Sequence, residues 1–246
     1  MLNNQRTMRT ELLLGTEGMR RIQTACVMII GLGAVGGYAL EAMARAGVGK
    51  LILVDFDVFD ETNINRQILA LTSTIGRKKT EVAAQRVKDI NPDCKIIIKD
   101  MYVNSETLPE LVAMHPDFVI DAIDSLNSKC CLIEALTQAG LPFISSMGAA
   151  LKTDTTHIKI AKLSQTQNCG LARAIRQRLK RRGINLQQVH CVYTDELVAL
   201  PSRAMLPSES SDGKHILGSL PTITAIFGLT IANEAIKQLA QTTLKG

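Results

Sequence analysis

Three glycines between two apolar runs form the first pattern with chemical consequences. Gly31, Gly33 and Gly36 give the spacing GxGxxG between the strand-like run ACVMII and a run with helical periodicity. Glycine has no Cβ to keep a phosphate away from the backbone, and the following helix offers unpaired N–H groups and the positive end of its dipole. The spacing therefore predicts a nucleotide site without choosing between a dinucleotide and ATP.

Charged and polar side chains follow the next strand-like run, LILVD. Asp55 ends that run, where a carboxylate accepts hydrogen bonds from ribose hydroxyls. Asp57, Asn63, Arg66 and Lys79 come next, and a nicotinamide site has little use for so many polar and cationic groups. Attack at the α-phosphorus of a triphosphate does need them, because positive groups must take up charge on the phosphoryl oxygens and the leaving pyrophosphate.

A further carboxylate, Asp124, stands at the predicted end of the fourth strand in DAIDS and can hold a Mg²⁺ ion that bridges phosphates. Structural alternatives exist: Lys79 as a solvated helix residue, Asn63 as a turn residue, and Asp124 as a helix N-cap. Since ligands bind at the carboxyl ends of adjacent strands in open α/β sheets, the joint placement of these residues favours a site for ATP and Mg²⁺.

The elements that must position these residues alternate along the chain. Strand-like runs, among them KIIIK, DFVIDAID and PFISS, are separated by runs with helical periodicity, which indicates βαβ units. After Met147 two further strand-like runs, HIKIAKL and VHCVYT, flank a basic helix at 171–182, and a terminal helix covers 219–240. We predict an α/β fold with a doubly wound, mostly parallel, Rossmann-like sheet over residues 1–150, and a C-terminal extension over 151–246 that packs on it.

Composition limits the other classes. The 246 residues are 46% apolar but only 3% aromatic, without Trp, which disfavours an all-β sandwich. Six cysteines without a CxxC pair indicate reduced thiols, and the N-terminus has no continuous apolar stretch of the kind an export signal needs, so we expect a cytoplasmic protein. Residues 216–232 carry no charge, yet they include Pro221 and fall short of the roughly 20 apolar residues of a membrane span. We predict a buried helix there and leave peripheral contact with a membrane open.

The positive charge is concentrated in one segment. Residues 155–194 hold eight of the 28 Lys and Arg residues and no Asp or Glu. Leu171, Ile175 and Leu179 form an apolar stripe, which predicts that the cations of this helix face water. A basic helix can be only a solvated surface, or it can bind nucleic acid by neutralising phosphates; the residues alone leave both open. The six cations are Arg173, Arg176, Arg178, Lys180, Arg181 and Arg182.

The run LVDFDVFDETNINRQ, with the glycine pattern, GRKKTEVAAQRV and DAIDS, resembles the adenylating domain shared by MoeB, ThiF, HesA and the ubiquitin-activating enzymes over residues 6–150. The resemblance implies ATP-dependent adenylation of a carboxylate. It implies that Asp55 holds the ribose and that Arg9 reaches into the site of a partner subunit, hence a homodimer with an N-terminal dimerisation segment. The catalytic residues it implies are Arg9, Arg66, Lys79 and Asp124, with Asn63, Arg66 and Lys79 at the phosphates and Asp124 at the metal.

The C-terminal part narrows the resemblance. LARAIRQRLKRRG, CVYTDELV and GSLPTITAIFGLTIANEAIKQL are similar to the tRNA threonylcarbamoyladenosine dehydratases, so the likeness covers nearly the whole chain. That branch implies cyclisation of threonylcarbamoyladenosine at position 37 of tRNA, with loss of water, through an acyl-adenylate. It makes the basic helix a tRNA-binding element. Cys191 matches a cysteine of the family, but we interpret it as a small buried strand residue and not as a nucleophile.

Three alternatives stay open. A MoeB/ThiF-like adenylyltransferase would act on the C-terminus of a sulfur-carrier or ubiquitin-like protein, although the two CxxC pairs usual in that branch are missing. A nicotinamide-dependent oxidoreductase is disfavoured by Arg66, Lys79 and Asp124. A non-catalytic tRNA-binding or partner-binding protein could share the fold. Docking of a sulfur-acceptor protein is also left open.

Overall fold

A seven-stranded sheet with helices on both faces forms the body of the protein, as the α/β prediction required. The computed structural model describes residues 5–197 and 217–241. In these ranges the strands are β1 (Cys26–Ile30), β2 (Lys50–Asp55), β3 (Lys95–Asp100), β4 (Phe118–Asp121), β5 (Phe143–Ser146), β6 (Ile158–Lys162) and β7 (His190–Thr194). The helices are α1 (Met8–Thr24), α2 (Gly36–Ala46), α3 (Lys79–Ile90), α4 (Leu108–Val112), α5 (Leu126–Ala139), α6 (Gly170–Arg181) and α7 (Pro221–Ala240).

The strand order is β3-β2-β1-β4-β5-β7-β6, and neighbouring strands are parallel except for the antiparallel pair β6 and β7. The chain moves outward from β1 to β2 and β3, then returns to place β4 on the other side of β1. This reversal opens a crevice beyond the carboxyl ends of β1 and β4, which is where doubly wound sheets bind ligands.

The central strands are buried on both faces, which explains their continuous apolar sequences. In β1, Val27 and Ile29 pack in one cluster with residues of α2, α3 and α7. Met28 and Ile30 point the other way and pack in a second cluster with residues of α4 and α5. The period-2 alternation of side chains thus divides one short strand between two cores.

The C-terminal part is built into the sheet and is not a separate layer. β7 pairs in parallel with β5, and β6 forms the edge. α7 buries Ile223, Phe227 and Ile231 in the core that also holds α2. At Gly228 the two helices approach so closely that a Cβ would lie 2.4 Å from the carbonyl oxygen of Val35. The prediction of a buried C-terminal helix is confirmed, and no helix among the described residues is long and apolar enough to cross a membrane.

One boundary differs from the sequence-based expectations. The strand predicted over DFVIDAID ends at Asp121, because the Asp121 carboxylate accepts a hydrogen bond from the Ile123 N–H (3.1 Å) and turns the chain. Asp124 therefore lies in the β4–α5 loop, three residues beyond the strand end where it was predicted. In α1 the helical path is interrupted at Gly15, which has φ 75° and ψ 162°.

The α2–α7 contact generates a stability prediction. Gly228→Ala would push a methyl group into the Val35 carbonyl and the Tyr38 side chain, so we expect a loss of about 1–3 kcal/mol in the free energy of unfolding. Gly170→Ala is the control, since Gly170 begins a helix and no atom lies within 4 Å of its added Cβ. Urea denaturation should show the control at or above wild-type stability, and equal behaviour of the two variants would contradict the close contact.

Candidate active site

The glycine turn between β1 and α2 separates two kinds of glycine. Gly31 has φ 88°, and a Cβ there would lie 2.7 Å from the carbonyl oxygen of Ala122. A Cβ at Gly36 would lie 1.7 Å from the carbonyl oxygen of Gly31. Backbone packing therefore excludes side chains at both positions. At Gly33 the nearest atom is 3.7 Å away, on Gln67, so neither φ nor the surrounding protein accounts for glycine there. A ligand approaching the backbone does account for it.

The first turn of α2 points into the same space. No side chain caps this helix, whose N-cap residue is Val35. The first N–H groups of a helix have no intrahelical acceptor, and together with the helix dipole they favour an anion. The predicted phosphate site at Gly31, Gly33 and Gly36 therefore has suitable geometry.

Asp55 is fixed at the end of β2 beside this turn. It is 8% exposed, and its Oδ2 accepts a hydrogen bond from the Leu32 N–H (2.6 Å) in the glycine turn. Its Oδ1 accepts from the N–H groups of Phe56 (2.8 Å) and Asp57 (2.9 Å). The carboxylate is thus oriented by backbone before any ligand arrives, which suits a group that must hold a ribose.

Lys79 is not the solvated helix residue of the structural alternative. It is 6% exposed, and its Nζ donates to Asp57 Oδ2 at 3.0 Å. Its backbone N–H donates to the Asp57 carbonyl at 3.0 Å, which places the start of α3 beside the end of β2. Lys79, Asp57 and Asp55 therefore come together. Asp57 is exposed, so a phosphate can approach the ammonium from the solvent side.

Asn63 and Arg66 lie on the loop after β2, where local hydrogen bonds hold them. Asn63 Oδ1 accepts from the Asp60 N–H (3.3 Å) at the end of a short 3-10 turn, Glu61–Asn63, so the turn role anticipated for Asn63 exists. Arg66 Nη1 donates to the Thr62 carbonyl (2.9 Å) and to Asn65 Oδ1 (2.8 Å). The other guanidinium N–H groups of Arg66 have no hydrogen bond within the described residues.

Gln67 is a site residue that sequence reasoning did not single out, although it closes the motif NINRQ. It is 7% exposed and lies against Gly33, and its buried Oε1 has no hydrogen-bond partner among the described residues. A buried acceptor without a donor costs about 1–3 kcal/mol, so such groups in native proteins call for an explanation. A bound nucleotide and its waters would supply the missing donor.

Asp124 and Arg9 have different positions relative to this site. Asp124 is exposed in the β4–α5 loop, two residues after Ala122, whose carbonyl packs on Gly31. No group of three His, Cys, Asp or Glu side chains among the described residues could hold a metal ion alone. Mg²⁺ is usually held by one or two carboxylates together with substrate phosphates, so the residues present fit this ion. Arg9 lies two residues after Thr7, which packs on Gly47 near the amino ends of the strands. The site lies at the carboxyl ends, so Arg9 does not reach the site of its own chain.

The prediction that all six cations of the basic helix, α6, face water is wrong for Arg176 and Arg178, which are half-buried. Arg176 donates to the Thr166 carbonyl (2.8 Å), and Arg178 donates to Asn127 Oδ1 in the first turn of α5. Arg182 pairs with Glu134 of α5 (2.7 Å). Arg178 and Arg182 have these partners because α6 packs along α5, whereas Arg176 reaches back to the segment that precedes α6. The cations that stay exposed without a side-chain hydrogen bond in the described part of the chain are Arg173, Lys180 and Arg181.

Cys191 is the small buried strand residue that we expected. It lies on β7, is fully buried and donates weakly to the Ala161 carbonyl (Sγ–O 3.5 Å). Burial raises the pKa of its thiol to about 12. The thiolate is therefore scarce at neutral pH, which is unsuitable for a nucleophile.

Comparison with known proteins agrees with this geometry. The model of the ThiF family matches residues 4–245. The chain belongs to the ThiF family. Among other members, it is 41% identical over 188 residues to the tRNA threonylcarbamoyladenosine dehydratase of Bacillus subtilis (strain 168), covering 76% of this chain and 74% of the relative.

A solved ThiF-family structure extends the match to the fold. The structure of E. coli tRNA N6-threonylcarbamoyladenosine dehydratase, TcdA, in complex with ATP superposes with a TM-score of 0.88 at 32% identity, covering 98% of this chain and 97% of that one. A relative with a different activity, the adenylyltransferase and sulfurtransferase uba4 of Aspergillus niger, is 33% identical over 141 residues. That match covers 57% of this chain and 29% of the relative. The dehydratases therefore match both halves of this ThiF-family chain, whereas uba4 matches little more than one.

The buried Oε1 of Gln67 leads to a prediction in which protein stability and ATP affinity change in opposite directions. Gln67→Met removes a buried acceptor while keeping the shape, so we expect the ligand-free protein to gain up to about 1–2 kcal/mol in the free energy of unfolding. ATP affinity should fall by about tenfold, the equivalent of one lost hydrogen bond. Thermal denaturation and isothermal titration with ATP measure the two effects.

Ser164→Ala is the matched control for Gln67. Ser164 Oγ is also buried and has no hydrogen-bond partner in the described ranges, but it follows β6, the strand at the edge of the sheet far from Gln67. The control should gain stability without changing ATP affinity. Unchanged ATP binding by Gln67→Met would show that its side chain does not face the ligand.

Proposed function

We propose that this chain is an ATP-dependent tRNA threonylcarbamoyladenosine dehydratase, which cyclises threonylcarbamoyladenosine at position 37 of tRNA through an acyl-adenylate. The observation that carries the proposal is the match of nearly the whole chain to a dehydratase solved with ATP. The oriented Asp55, the buried Lys79 and the open backbone at Gly33 support it, because they suit the ribose and phosphates of one nucleotide.

Residues at the ends of neighbouring strands bind different parts of the nucleotide in this proposal. The turn at Gly31, Gly33 and Gly36 and the first turn of α2 take phosphate oxygens beside β1. Asp55 takes the ribose at the end of β2. In this proposal the phosphates are contacted by Asn63, Arg66 and Lys79. Asp57 contributes indirectly, through its ion pair with Lys79. When Mg²⁺ is bound, Asp124 would hold it, and the ion would neutralise charge between phosphates.

The chemistry has two steps. A carboxylate oxygen of the threonyl group attacks the α-phosphorus, the bond to the bridging oxygen of the β-phosphate breaks, and pyrophosphate leaves. Arg66 and Lys79 take up the charge that develops on the phosphate oxygens. The carbamoyl group of the same nucleoside then attacks the activated carbonyl carbon, a proton is released, and AMP leaves with the carboxylate oxygen. The substrate loses the elements of water, and holding its side chain folded supplies much of the rate.

The two parts of the chain have separate roles in this proposal. Residues 1–150 adenylate the substrate carboxylate, and residues 151–246 bring the tRNA to the carboxyl ends of the strands, where the nucleotide binds. Arg178 supports this arrangement, because its hydrogen bond to Asn127 anchors α6 three residues after Asp124. A tRNA bound along α6 would thus lie beside the reacting phosphates.

A homodimer completes the proposed site. Arg9 is exposed on α1 near the amino ends of the strands, away from the nucleotide of its own chain. It can therefore contact only the nucleotide of another copy. Leu12 and Leu13, on the same helix, are 79% and 83% exposed, which is unfavourable for large apolar side chains unless a second subunit covers them. The cytoplasm, where tRNA is modified, is the proposed location; docking of a sulfur-acceptor protein and contact with a membrane surface have no support among the described residues.

Incubation with ATP, Mg²⁺ and tRNA carrying threonylcarbamoyladenosine tests the proposal. Mass analysis of nucleosides under mild conditions should show a product that has lost water, and this product should depend on ATP. Arg66→Ala should lower the rate by at least about a hundredfold, the usual loss when one group that stabilises transition-state charge is removed. A missing water-loss product would contradict the proposal.

The same assay separates the alternatives. A carrier-protein adenylyltransferase would exchange pyrophosphate into ATP only with a protein ending in Gly-Gly and would not need tRNA. A non-catalytic binding protein would keep its function in cells after Arg66→Ala.

The exposed cations of α6 generate a prediction about tRNA affinity. Replacing Arg173, Lys180 and Arg181 with Gln should weaken tRNA binding and make its dependence on salt less steep, by about one per lost phosphate contact. ATP binding should not change, since none of these three side chains is assigned a contact with the nucleotide. Filter binding at several salt concentrations measures the slope.

Two controls sharpen this test. Replacing Lys95, Arg20 and Lys237 with Gln removes the same charge from β3, α1 and α7 and should leave the slope unchanged. Arg176→Gln should lower stability more than tRNA affinity, because Arg176 is bonded to Thr166. Equal slopes for the α6 triple variant and the wild type would show that this helix does not meet phosphates.

A further inference from the structure

A fully buried ionic network lies directly beneath the candidate active site. Asp121 ends β4 and Lys129 lies on α5; both side chains are 0% exposed, with Nζ 2.7 Å from Oδ2. Ser145 of β5 donates its hydroxyl to the same Oδ2 (2.6 Å) and accepts from Lys129 Nζ (3.2 Å). The three side chains satisfy one another without contact with solvent.

Fold stability alone is a weak reason for such a network. The desolvation of two charges offsets most of their attraction, and apolar side chains of similar volume often stabilise a protein equally well or better. Lys129 and Asp121 also take no part in contacting a nucleotide, because they are buried below the crevice. Their position in the chain shows what else they hold.

The network controls the path of the β4–α5 loop. The other carboxylate oxygen of Asp121, Oδ1, accepts from the Ile123 N–H (3.1 Å). Between these two residues Ala122 donates its N–H to the Ile30 carbonyl (2.8 Å), and its own carbonyl packs against Gly31. The loop is thus held against the glycine turn on one side, and one residue after Ile123 it carries Asp124.

We propose that the Asp121–Lys129–Ser145 network positions Asp124 relative to the glycine turn and thereby sets the affinity for ATP with Mg²⁺, while affinity for ATP alone does not depend on it. The inference rests on the proposed function, which assigns Asp124 to the metal. Asp121 acts as a positioning residue through the hydrogen bond to the Ile123 N–H, and Lys129 and Ser145 fix the carboxylate in the orientation that this bond requires.

Two double variants separate this role from a structural one. Asp121→Val with Lys129→Met removes both charges and the acceptor for the Ile123 N–H. Asp121→Asn with Lys129→Met also removes both charges, but the amide oxygen can still accept from that N–H. Neither leaves an unpaired buried charge, which would itself unfold the protein. Binding of ATP, with and without Mg²⁺, is measured by isothermal titration, and stability by thermal denaturation.

We expect the Val/Met variant to fold and to bind ATP without Mg²⁺ as the wild type does, while the Mg²⁺ concentration for half-maximal enhancement of ATP binding rises about tenfold, as when a group that orients a metal ligand is lost. The Asn/Met variant should stay close to the wild type. Asn91→Ala is the control for general loss of packing. It removes a buried hydrogen bond to the Val48 carbonyl near the amino ends of the strands, far from the Asp124 loop. It should lower stability without changing the Mg²⁺ dependence of ATP binding.

Wild-type Mg²⁺ dependence in the folded Val/Met variant would overturn the inference. If that variant does not fold, Ser145→Ala decides, since it keeps the ion pair but removes one hydrogen bond to Oδ2. Faster hydrogen exchange at the Ile123 amide with a higher Mg²⁺ requirement supports the inference, and no change in either overturns it. Failure of the wild type to bind ATP more tightly with Mg²⁺ would instead count against the proposed function.

Discussion

The close approach of three backbone segments at the end of β1 is the constraint on which the site depends. Gly36 lies so near the Gly31 carbonyl that a Cβ would be 1.7 Å from its oxygen, and a Cβ at Gly31 would be 2.7 Å from the Ala122 carbonyl oxygen. Because no side chain separates them, α2 starts directly behind the strand and its first turn faces the crevice. The β4–α5 loop is pressed onto the same turn. The positions of α2 and of the β4–α5 loop that carries Asp124 are therefore both fixed relative to the end of β1.

Much of the fold could be predicted from the sequence because apolar residues recur in regular patterns along its strands and helices. Parallel strands buried on both faces are continuous apolar runs, and the helices between them keep an amphipathic period. The glycine spacing and Asp55 were recognisable because each has a physical reason tied to its neighbours in sequence. Lys79 joined them because it begins α3, the α-helix that follows β2, and in a βαβ unit that helix returns to lie beside the strand.

The misses have a common cause, which is that a side chain's partner lies far away in sequence. Nothing within α6 distinguishes Arg178 from Arg181, yet one contacts Asn127 and the other faces water. Asp121 and Asp124 are the same residue type three positions apart. Only the contacts with Lys129 of α5 and Ser145 of β5 make the first an internal ion, whereas the second is a surface carboxylate. Gln67 is one more polar residue in a polar loop of the sequence. Only its burial against Gly33, which is distant in the chain, leaves its Oε1 without a donor in the part of the chain that the structure describes.

The order of the strands also governs how the chain can be made. During synthesis β5 leaves the ribosome long before β7, so one edge of the parallel sheet stays unpaired while residues 147–189 are added. The face of α2 that α7 covers waits longer still, and such open edges and apolar faces are where growing chains aggregate. The part of the sheet that carries the glycine turn is therefore not a module that folds before the C-terminal strands and α7 are made. Its core becomes complete only when α7 has been made, so a chain that ends before α7 would lack the helix that covers α2 and would destabilise the glycine turn from which α2 starts.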